Sequence, residues 1–379
     1  MKSILFVINT FSDIGGHYYS LVTTATALSM QYRVYIVNVG EKPAPIISNT
    51  DIPHSYVYSD LKNQGSVTRQ ITRIVKSQHA EVIHAFDQVS YFLSFFTAWR
   101  CGIPLVATKC GGPVSPNYPY INNIVVFTKE DQTFFNSKLN CNESQIALIP
   151  NRVIPFQQDK DRIDSLRKVC NIEDKRVILR IGRIDPFYYE TSKQSINLAK
   201  ALHELDPSFV LLIVGNVVDN ETLGKMRQDA YGCDFIYFVT DRKFTLDAKQ
   251  LIDIAEIVVG TGRGFMEACS LGKTMMAPNK GNLYPTMMTD DIFDEVFYYN
   301  FSERYKGRDY SPTEIIEMIN HSKGESLSWF DHYFSSSKIE PLYSSFYDNL
   351  KPTKYYKIFK DIVKPLLSGW YHTIKLRNR

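Results

Sequence analysis

VVGTGRGFMEACSLGK, residues 258–273, joins a short apolar run to a helix-like segment through a glycine-rich turn. The turn carries one arginine, Arg263, and the helix-like segment begins with a single acidic residue, Glu267. Backbone amides at such a turn suit phosphate and hydroxyl groups, and a carboxylate one turn into the helix can accept hydrogen bonds from ribose hydroxyls. The alternative is a purely structural turn in which Glu267 compensates the helix dipole.

Strand-like and helix-like segments alternate on both sides of this turn. The first half begins with the strand candidate Ser3–Asn9, and the second half starts again at Arg176–Ile181, followed by the amphipathic segment Ser192–Glu204. Such alternation predicts parallel sheets covered by helices on both faces. We therefore expect an α/β protein with two Rossmann-like, doubly wound domains facing a central cleft. The expected limits are 1–155 for the N-terminal domain, 156–325 for the C-terminal domain and 326–379 for a helical, basic tail.

The composition is that of a globular protein, with 379 residues of which 44% are hydrophobic and 22% are charged. A net charge of +3 is too small to indicate a nucleic-acid-binding protein. The six cysteines are scattered without a Cys-x-x-Cys pair, which argues against a zinc site and against a disulfide framework. The N-terminal apolar segment is too short for a signal peptide, and no apolar run approaches the roughly 20 residues that span a bilayer. We therefore expect a cytoplasmic protein.

A second candidate loop follows the predicted strand Arg176–Ile181. Gly182 would let a ligand approach the backbone, and Arg183 and Lys193 could hold a diphosphate from two sides. Ligands favour the loops at the carboxyl ends of parallel strands, which supports this interpretation. A surface pair between Arg183 and Asp185 with a solvated lysine is the alternative.

The N-terminal half offers weaker candidates. In the loop of residues 9–17, the paired glycines Gly15 and Gly16 could let an anion approach the helix start, and His17, which follows them, is an acceptor-side candidate. A tight strand-to-helix turn that binds nothing explains this loop equally well. His84 ends one predicted strand and Lys109 another, so both could reach the acceptor side, although a lone histidine is more often a satisfied interior polar group.

Taken together, these loops resemble the family-4 retaining glycosyltransferases of the GT-B fold. The resemblance runs from the N-terminal strand to about residue 290. It includes Gly182-Arg183, Lys193, and Glu267-Ala268 with Gly272. It implies that Arg183 and Lys193 hold the donor diphosphate as catalytic groups and that Glu267 binds the ribose. The donor-binding residues that it implies are Gly15, Gly16, Gly182, Gly262, Arg263, Gly264 and Glu267.

The chain departs from this family at two positions. The family usually has two glutamates with seven residues between them, and the earlier position here is Val259. The histidine usually found near residues 109–112 is also missing. The resemblance implies a retaining enzyme that moves a sugar from a nucleotide donor, expected to be UDP-linked, to a hydroxyl of a glycan or lipid-linked oligosaccharide in surface polysaccharide synthesis. It implies no metal or other cofactor. A non-catalytic partner subunit and a nucleotide-sugar epimerase remain as alternatives.

The C-terminal segment 351–379 contains eight Lys or Arg residues and one acid, Asp361. Within it, an apolar and aromatic stripe that includes Tyr355 and Ile358 follows helical spacing. This pattern predicts an in-plane anchor to an anionic membrane, which would place the protein on the inner face of the cell membrane. A terminal helix docked on the N-terminal domain is the alternative.

Overall fold

The computed structural model of the chain describes residues 1–10, 16–60, 62–112, 118–138, 144–321 and 324–359. The chain separates into two compact units. Unit 1 contains residues 1–152 and the chain from Ser336 onward, and unit 2 contains Val153–Ser335. The tail expected over residues 326–379 is therefore divided, because its first residues belong to unit 2 and its later described residues belong to unit 1.

Within the described residues, unit 1 is built on a parallel sheet of seven strands in the order β3-β2-β1-β4-β5-β6-β7. The central strand β1 is buried along its whole length, as expected for a parallel strand covered on both faces. The strands are β1 (Ser3–Thr10), β2 (Arg33–Gly40), β3 (His54–Tyr58), β4 (Val82–Ala85), β5 (Leu105–Lys109), β6 (Asn123–Val126) and β7 (Gln145–Leu148).

Helices connect these strands and cover both faces of the sheet. Their starts follow local capping chemistry, since Asp87 accepts a hydrogen bond from the Ser90 amide at 2.8 Å and caps the helix that follows β4. That helix is terminated by Gly102, which follows its last residue and takes the left-handed conformation with a φ of 65°. The helices are α1 (Gly16–Leu28), α2 (Pro45–Ser48), α3 (Gln64–Ser77), α4 (Gln88–Cys101) and α5 (Lys129–Ser137).

Unit 2 has a second sheet in the order β10-β9-β8-β11-β12-β13, in which only the last strand is antiparallel. The strand order reverses at β8, with β9 on one side and β11 on the other, and such a reversal opens a crevice at the carboxyl ends of the strands. The strands are β8 (Arg176–Ile181), β9 (Phe209–Val214), β10 (Ile236–Val239), β11 (Ile257–Val259), β12 (Thr274–Ala277) and β13 (Thr286–Met287).

Unit 2 has a helix that begins within the stretch which the sequence indicates as a linker. The polar stretch before residue 162 reads as a linker in the sequence, but Asp159 accepts a hydrogen bond from the Arg162 amide at 3.0 Å and caps a helix that begins at Lys160. The helices are α6 (Lys160–Cys170), α7 (Tyr189–Leu205), α8 (Asn220–Asp229), α9 (Arg242–Thr245), α10 (Gly262–Cys269), α11 (Asp290–Tyr298), α12 (Pro312–His321) and α13 (Glu325–Trp329).

The last residues that the structure describes belong to unit 1. Helix α14 (Ser336–Asp348) buries Tyr343 and Tyr347 in the core beneath β1. Further on, the Tyr355 hydroxyl donates to the Ile103 carbonyl at 2.7 Å, and Ile358 is fully buried. Tyr355 and Ile358 were expected on a membrane-facing stripe and instead pack into the protein. Among the described helices, none combines the length and the hydropathy that a membrane-spanning segment requires.

Candidate functional site

The loops that leave β8 and β11 lie on either side of the strand-order reversal in unit 2. In the first loop, Gly182 donates its amide to the Val214 carbonyl at 3.1 Å, and a Cβ added at this glycine would have no atom within 4 Å. Gly182 therefore leaves open space at the carboxyl end of β8. In the second loop, a Cβ at Gly260 would lie 2.9 Å from the Phe265 Cα. Gly260 therefore has a structural role, because it lets α10 pack closely on β11.

The remaining glycines of the second loop differ from one another. Gly262 has a φ of +49° and donates its amide to the Asn300 carbonyl at 3.0 Å. Gly264 has open space around it, but its amide donates to the Thr261 carbonyl at 3.1 Å. Both amides were expected to face a ligand, and both are used within the protein instead. The turn therefore leaves space for a ligand beside Gly264, but the amides of Gly262 and Gly264 already donate to carbonyls of the protein.

Arg263 and Glu267 pair with each other on one face of α10. The Arg263 Nε atom lies 2.7 Å from the Glu267 Oε1 atom, and only 13% and 12% of these side chains are exposed. Residues four apart on a helix are neighbours, so this pairing follows directly from their spacing. Arg263 therefore orients the Glu267 carboxylate before any ribose binds to it.

Arg183 forms the surface contact that the sequence left as an alternative. Its Nε atom lies 3.5 Å from the Asp185 Oδ2 atom, and its guanidinium stands 5.4 Å from the centre of the Tyr188 ring. Half of the side chain is exposed. Asp185 is largely buried, with 11% of its side chain exposed, so only the Arg183 end of the pair faces solvent. An anion that reaches the loop after β8 can therefore contact Arg183.

Lys193 lines a pocket of about 470 Å³ at the start of α7. The loop of residues 278–284 forms another wall of this pocket, and side-chain amides hold it in place. Gln194 donates from Nε2 to the Asn279 carbonyl at 2.9 Å, and the Asn279 amide donates back to Gln194 Oε1 at 3.2 Å. The structure therefore brings Lys193 and a loop far along the chain to one polar pocket.

In unit 1, the N-terminal candidates lie beside a part of the chain that the structure does not describe. Gly15 falls outside the described residues. Gly16 begins α1 with no atom within 4 Å of an added Cβ. The His17 ring packs on Tyr18, with ring centroids 3.9 Å apart. The expected donor or acceptor contacts of this loop stay a prediction.

His84 is a satisfied interior histidine rather than an acceptor-side group. It is fully buried in β4, and its Nδ1 and Nε2 atoms lie 2.7 Å from the Tyr347 hydroxyl and the Thr108 hydroxyl, respectively. Burial lowers the pKa of His84 to about 3, with a smaller contribution from the charge of Arg152. The ring is therefore neutral at physiological pH and holds α14 to the sheet.

Lys109 likewise serves the local structure. Its Nζ atom donates to the carbonyls of Cys110, Gly111 and Gly112 at 2.8, 3.1 and 2.7 Å, and it lies 3.6 Å from the Asp131 carboxylate. Only 8% of the side chain is exposed. The expected acceptor-side role of Lys109 is not supported, because its charge is used to fold the turn after β5.

No protein-family model matches the sequence, and a search of curated proteins found no match. Solved structures resemble it along nearly its whole length. A glycosyltransferase from Rickettsia africae superposes with a TM-score of 0.68 at 15% identity, covering 92% of this chain and 98% of that one. Anabaena Alr3699/HepE in complex with UDP and glucose gives 0.67 at 15% identity, covering 92% and 100%. The chain has the GT-B fold.

A UDP-GlcNAc 2-epimerase from Neisseria meningitidis, solved with UDP-GlcNAc bound, is less similar. Its TM-score is 0.52 at 13% identity, covering 92% of this chain and 99% of that one. The glycosyltransferase structures therefore agree better with this GT-B chain than the epimerase does. At such identities the likeness concerns the fold alone.

Arg180 is a buried charged residue beside the loop after β8 that the sequence analysis did not single out. It lies at the end of β8 with 3% of its surface exposed. Its Nε atom donates to the Ser192 hydroxyl at 3.2 Å, and its Nη2 atom donates to the Thr191 hydroxyl at 2.5 Å. The signal was present in the sequence, because a charged residue inside an apolar strand is unusual in a parallel sheet.

Proposed function

We propose that the protein is a retaining glycosyltransferase that uses a nucleotide sugar, with UDP as the expected nucleotide. One observation carries the proposal most strongly. Arg183 and Lys193 follow β8 at the strand-order reversal of unit 2, which is where ligands bind in open α/β sheets. Support also comes from the fold, which Anabaena Alr3699/HepE shares and adopts with UDP and glucose bound.

The role of the two cations is electrostatic. The Arg183 side chain is half exposed and lies 3.5 Å from the largely buried Asp185 carboxylate, so its guanidinium can turn from Asp185 to a diphosphate with two negative charges. Lys193 lines the neighbouring pocket. Positive groups fixed near a leaving diphosphate stabilise the charge that develops on it, which lowers the barrier to its departure.

The transfer step needs few protein groups. The bond between the anomeric carbon and the diphosphate oxygen breaks, and a bond to the acceptor oxygen forms on the same face of the sugar. The acceptor hydroxyl proton passes to the departing diphosphate, so charges and atoms balance and the configuration is retained. We propose a hydroxyl of a glycan or lipid-linked oligosaccharide as the acceptor, in the synthesis of a surface polysaccharide.

An assay of nucleotide release tests the proposal. The protein is incubated with a panel of nucleotide sugars and glycan acceptors, and the released nucleotide and the anomeric form of the product are measured. Arg183→Ala and Lys193→Ala should lose release at least tenfold, because each removes a positive charge from the leaving group. Lys225→Ala is the matched control, since Lys225 is an exposed lysine of the same unit that pairs with Glu221 at 2.7 Å.

Two other outcomes point to the alternatives. A chain that releases no nucleotide from any donor would act as a non-catalytic partner of another transferase. A chain that converts the donor sugar to its epimer without an acceptor would be an epimerase. The better agreement with the glycosyltransferase structures, at TM-scores of 0.68 against 0.52, favours transfer.

We also propose that unit 1 binds the inner face of an anionic cell membrane. Tyr355 packs against Phe95 of α4 with ring centroids 5.7 Å apart. Within one turn of Phe95, Trp99 is 61% exposed, and close to Tyr355 both Tyr356 and Phe359 are exposed at 71% and 53%. Exposed aromatic side chains beside a basic segment suit the boundary between headgroups and acyl chains.

Vesicle sedimentation tests the membrane proposal. The protein should sediment with vesicles of mixed phosphatidylglycerol and phosphatidylcholine, and much less with phosphatidylcholine alone, because the basic segment is attracted to anionic lipid. Trp99→Ala should reduce binding severalfold. Tyr231→Ala is the control, since Tyr231 is 89% exposed in unit 2. Equal binding by the two variants, or no preference for anionic lipid, would contradict the proposal.

A further inference from the structure

Arg180 is a buried cation that forms no ion pair in the described part of the chain, although the charge of Glu303 acts on it from a longer distance. Its side chain bonds to two neutral hydroxyls, those of Thr191 and Ser192. Among the described residues, no carboxylate lies within 4 Å of its guanidinium. Moving such a charge out of water costs several kcal/mol, so buried arginines are usually paired with acids. This arrangement is expected where the missing negative charge comes from a ligand.

A hydrogen bond connects the Arg180 guanidinium to the wall of the Lys193 pocket. Thr191, which accepts its shorter hydrogen bond, also lines the pocket, and so does Glu303. Burial lowers the pKa of Arg180 to about 10, and the negative charge of Glu303 offsets this only in part. Arg180 therefore stays positive at neutral pH. It acts on the pocket through the Thr191 side chain, which is part of the pocket wall.

The charges around the pocket indicate the class of ligand. On the pocket wall, Lys193 and Lys280 are balanced by Glu190 and Glu303. The buried charge of Arg180 leaves the site with a net positive charge of one. Carboxylates and amides on the wall suit hydroxyl groups, whereas the excess positive charge suits an anion. A phosphorylated sugar carries both kinds of group.

We propose that Arg180 is a positioning residue which makes this pocket select phosphorylated ligands, by holding Thr191 at the start of α7 and by supplying buried positive charge to a phosphate group of the donor. The proposal rests on the proposed function, since it assigns the donor phosphate to this pocket. Arg180 differs from Arg183 and Lys193 because it would act through its hydrogen bond to Thr191 and through a buried charge, without lining the pocket itself.

Calorimetric titration of the full chain with UDP and with uridine tests this role. Arg180→Met keeps the length of the side chain and removes its charge, and we expect UDP to bind at least tenfold more weakly while the affinity for uridine is unchanged. Arg180→Lys should restore most of the UDP affinity. A merely structural role would lower both affinities together and would not be rescued by charge.

Arg176→Met is the matched control. Arg176 lies on the same face of β8 at its other end, and it pairs with Glu256 at 2.7 Å and with Asp206 at 3.1 Å. Its loss removes the same charge from the same strand and should leave the UDP affinity unchanged. If Arg180→Met does not fold, Thr191→Val decides, because it removes one of the two hydroxyl partners of Arg180, the one that lines the pocket, with little change in volume. We then expect a severalfold loss for UDP and none for uridine.

The outcomes separate this inference from the proposed function. If the unaltered chain binds UDP and Arg180→Met or Thr191→Val binds it equally well, the inference is overturned and the proposed function stands. Parallel losses for UDP and uridine also overturn it. If the unaltered chain binds no nucleoside diphosphate, the inference and the proposed function fail together.

Discussion

Burial sets the chemistry of individual side chains in this protein. His84 and Arg180 are both titratable residues inside strands, but the protein treats them differently. Both ring nitrogens of His84 have hydroxyl partners, and the ring is neutral. Arg180 also has hydroxyl partners but keeps its charge. The neutral histidine stabilises the fold, whereas the charged arginine at a pocket suits an anionic ligand.

His84 should make the folded state less stable as the pH falls. Its pKa is about 3 in the folded chain against a usual value of 6.5, so between these values the unfolded chain binds a proton that the folded chain does not. The stability that depends on neutral His84 is fully present above pH 6.5. Below that pH it declines, and the free energy of unfolding is lower by ~2 kcal/mol at pH 5. Urea unfolding at pH 7 and pH 5 measures the change.

Variants assign that pH dependence to one residue. His84→Asn cannot take up the proton, so its stability should fall by ~2 kcal/mol less than that of the unaltered chain between pH 7 and pH 5. His321→Asn serves as the control, because His321 is an exposed residue of α12 and should leave the dependence as it is. Identical slopes for His84→Asn and the unaltered chain would contradict the assignment.

The sequence could place the glycine-rich turn but could not separate the roles of its glycines. An apolar run, a turn and a helix start are local features, and the structure has them as β11 and α10. The role of Gly260 depends on the packing of Phe265, and the amide of Gly262 bonds to the Asn300 carbonyl far along the chain. Local sequence patterns do not predict such long-range contacts.

At the carboxyl edge of β8 and β9, two glycines should respond differently to alanine. A Cβ at Gly215 would lie 1.7 Å from the Gly182 carbonyl oxygen, whereas a Cβ at Gly182 has open space. Gly215→Ala should therefore lower the free energy of unfolding by ~2 kcal/mol or more, because the strands must move apart. Gly182→Ala should fold normally and weaken UDP binding, because the methyl group occupies space meant for the ligand.

Thermal unfolding and UDP titration of both variants check these expectations. Gly224→Ala provides a control for the loss of a glycine in unit 2, since its position also has open space. Normal UDP affinity in Gly182→Ala would mean that the ligand does not approach the backbone after β8. An unchanged melting temperature in Gly215→Ala would contradict the close approach of the two loops.

At the scale of the whole molecule, the chain leaves unit 2 and completes unit 1. Helix α14 supplies Tyr343 and Tyr347 to the core beneath β1. The alternating strands and helices could be predicted from the sequence, and the GT-B fold is confirmed by the solved structures. Docking of the C-terminal segment on unit 1 stood only as an alternative in the sequence, because an amphipathic stripe such as the one with Tyr355 and Ile358 looks the same whether a membrane or a protein core covers it.

The contribution of α14 can be measured with one side chain. Tyr347→Ala should lower the free energy of unfolding by ~3 kcal/mol or more, because it leaves a cavity in the core and removes a hydrogen-bond partner of His84. Tyr356→Ala, at an exposed position near the end of the described chain, should change it by less than ~0.5 kcal/mol. Equal effects of the two substitutions in urea unfolding would contradict the docking of this segment.

A crystal structure of the chain soaked with UDP at a saturating concentration tests the central claim most directly. We predict that the diphosphate lies within ~3 Å of the side-chain nitrogens of Arg183 and Lys193, and that the ribose hydroxyls contact Glu267. Density for UDP elsewhere on the protein, or none at the carboxyl ends of β8 and β11, would contradict the account.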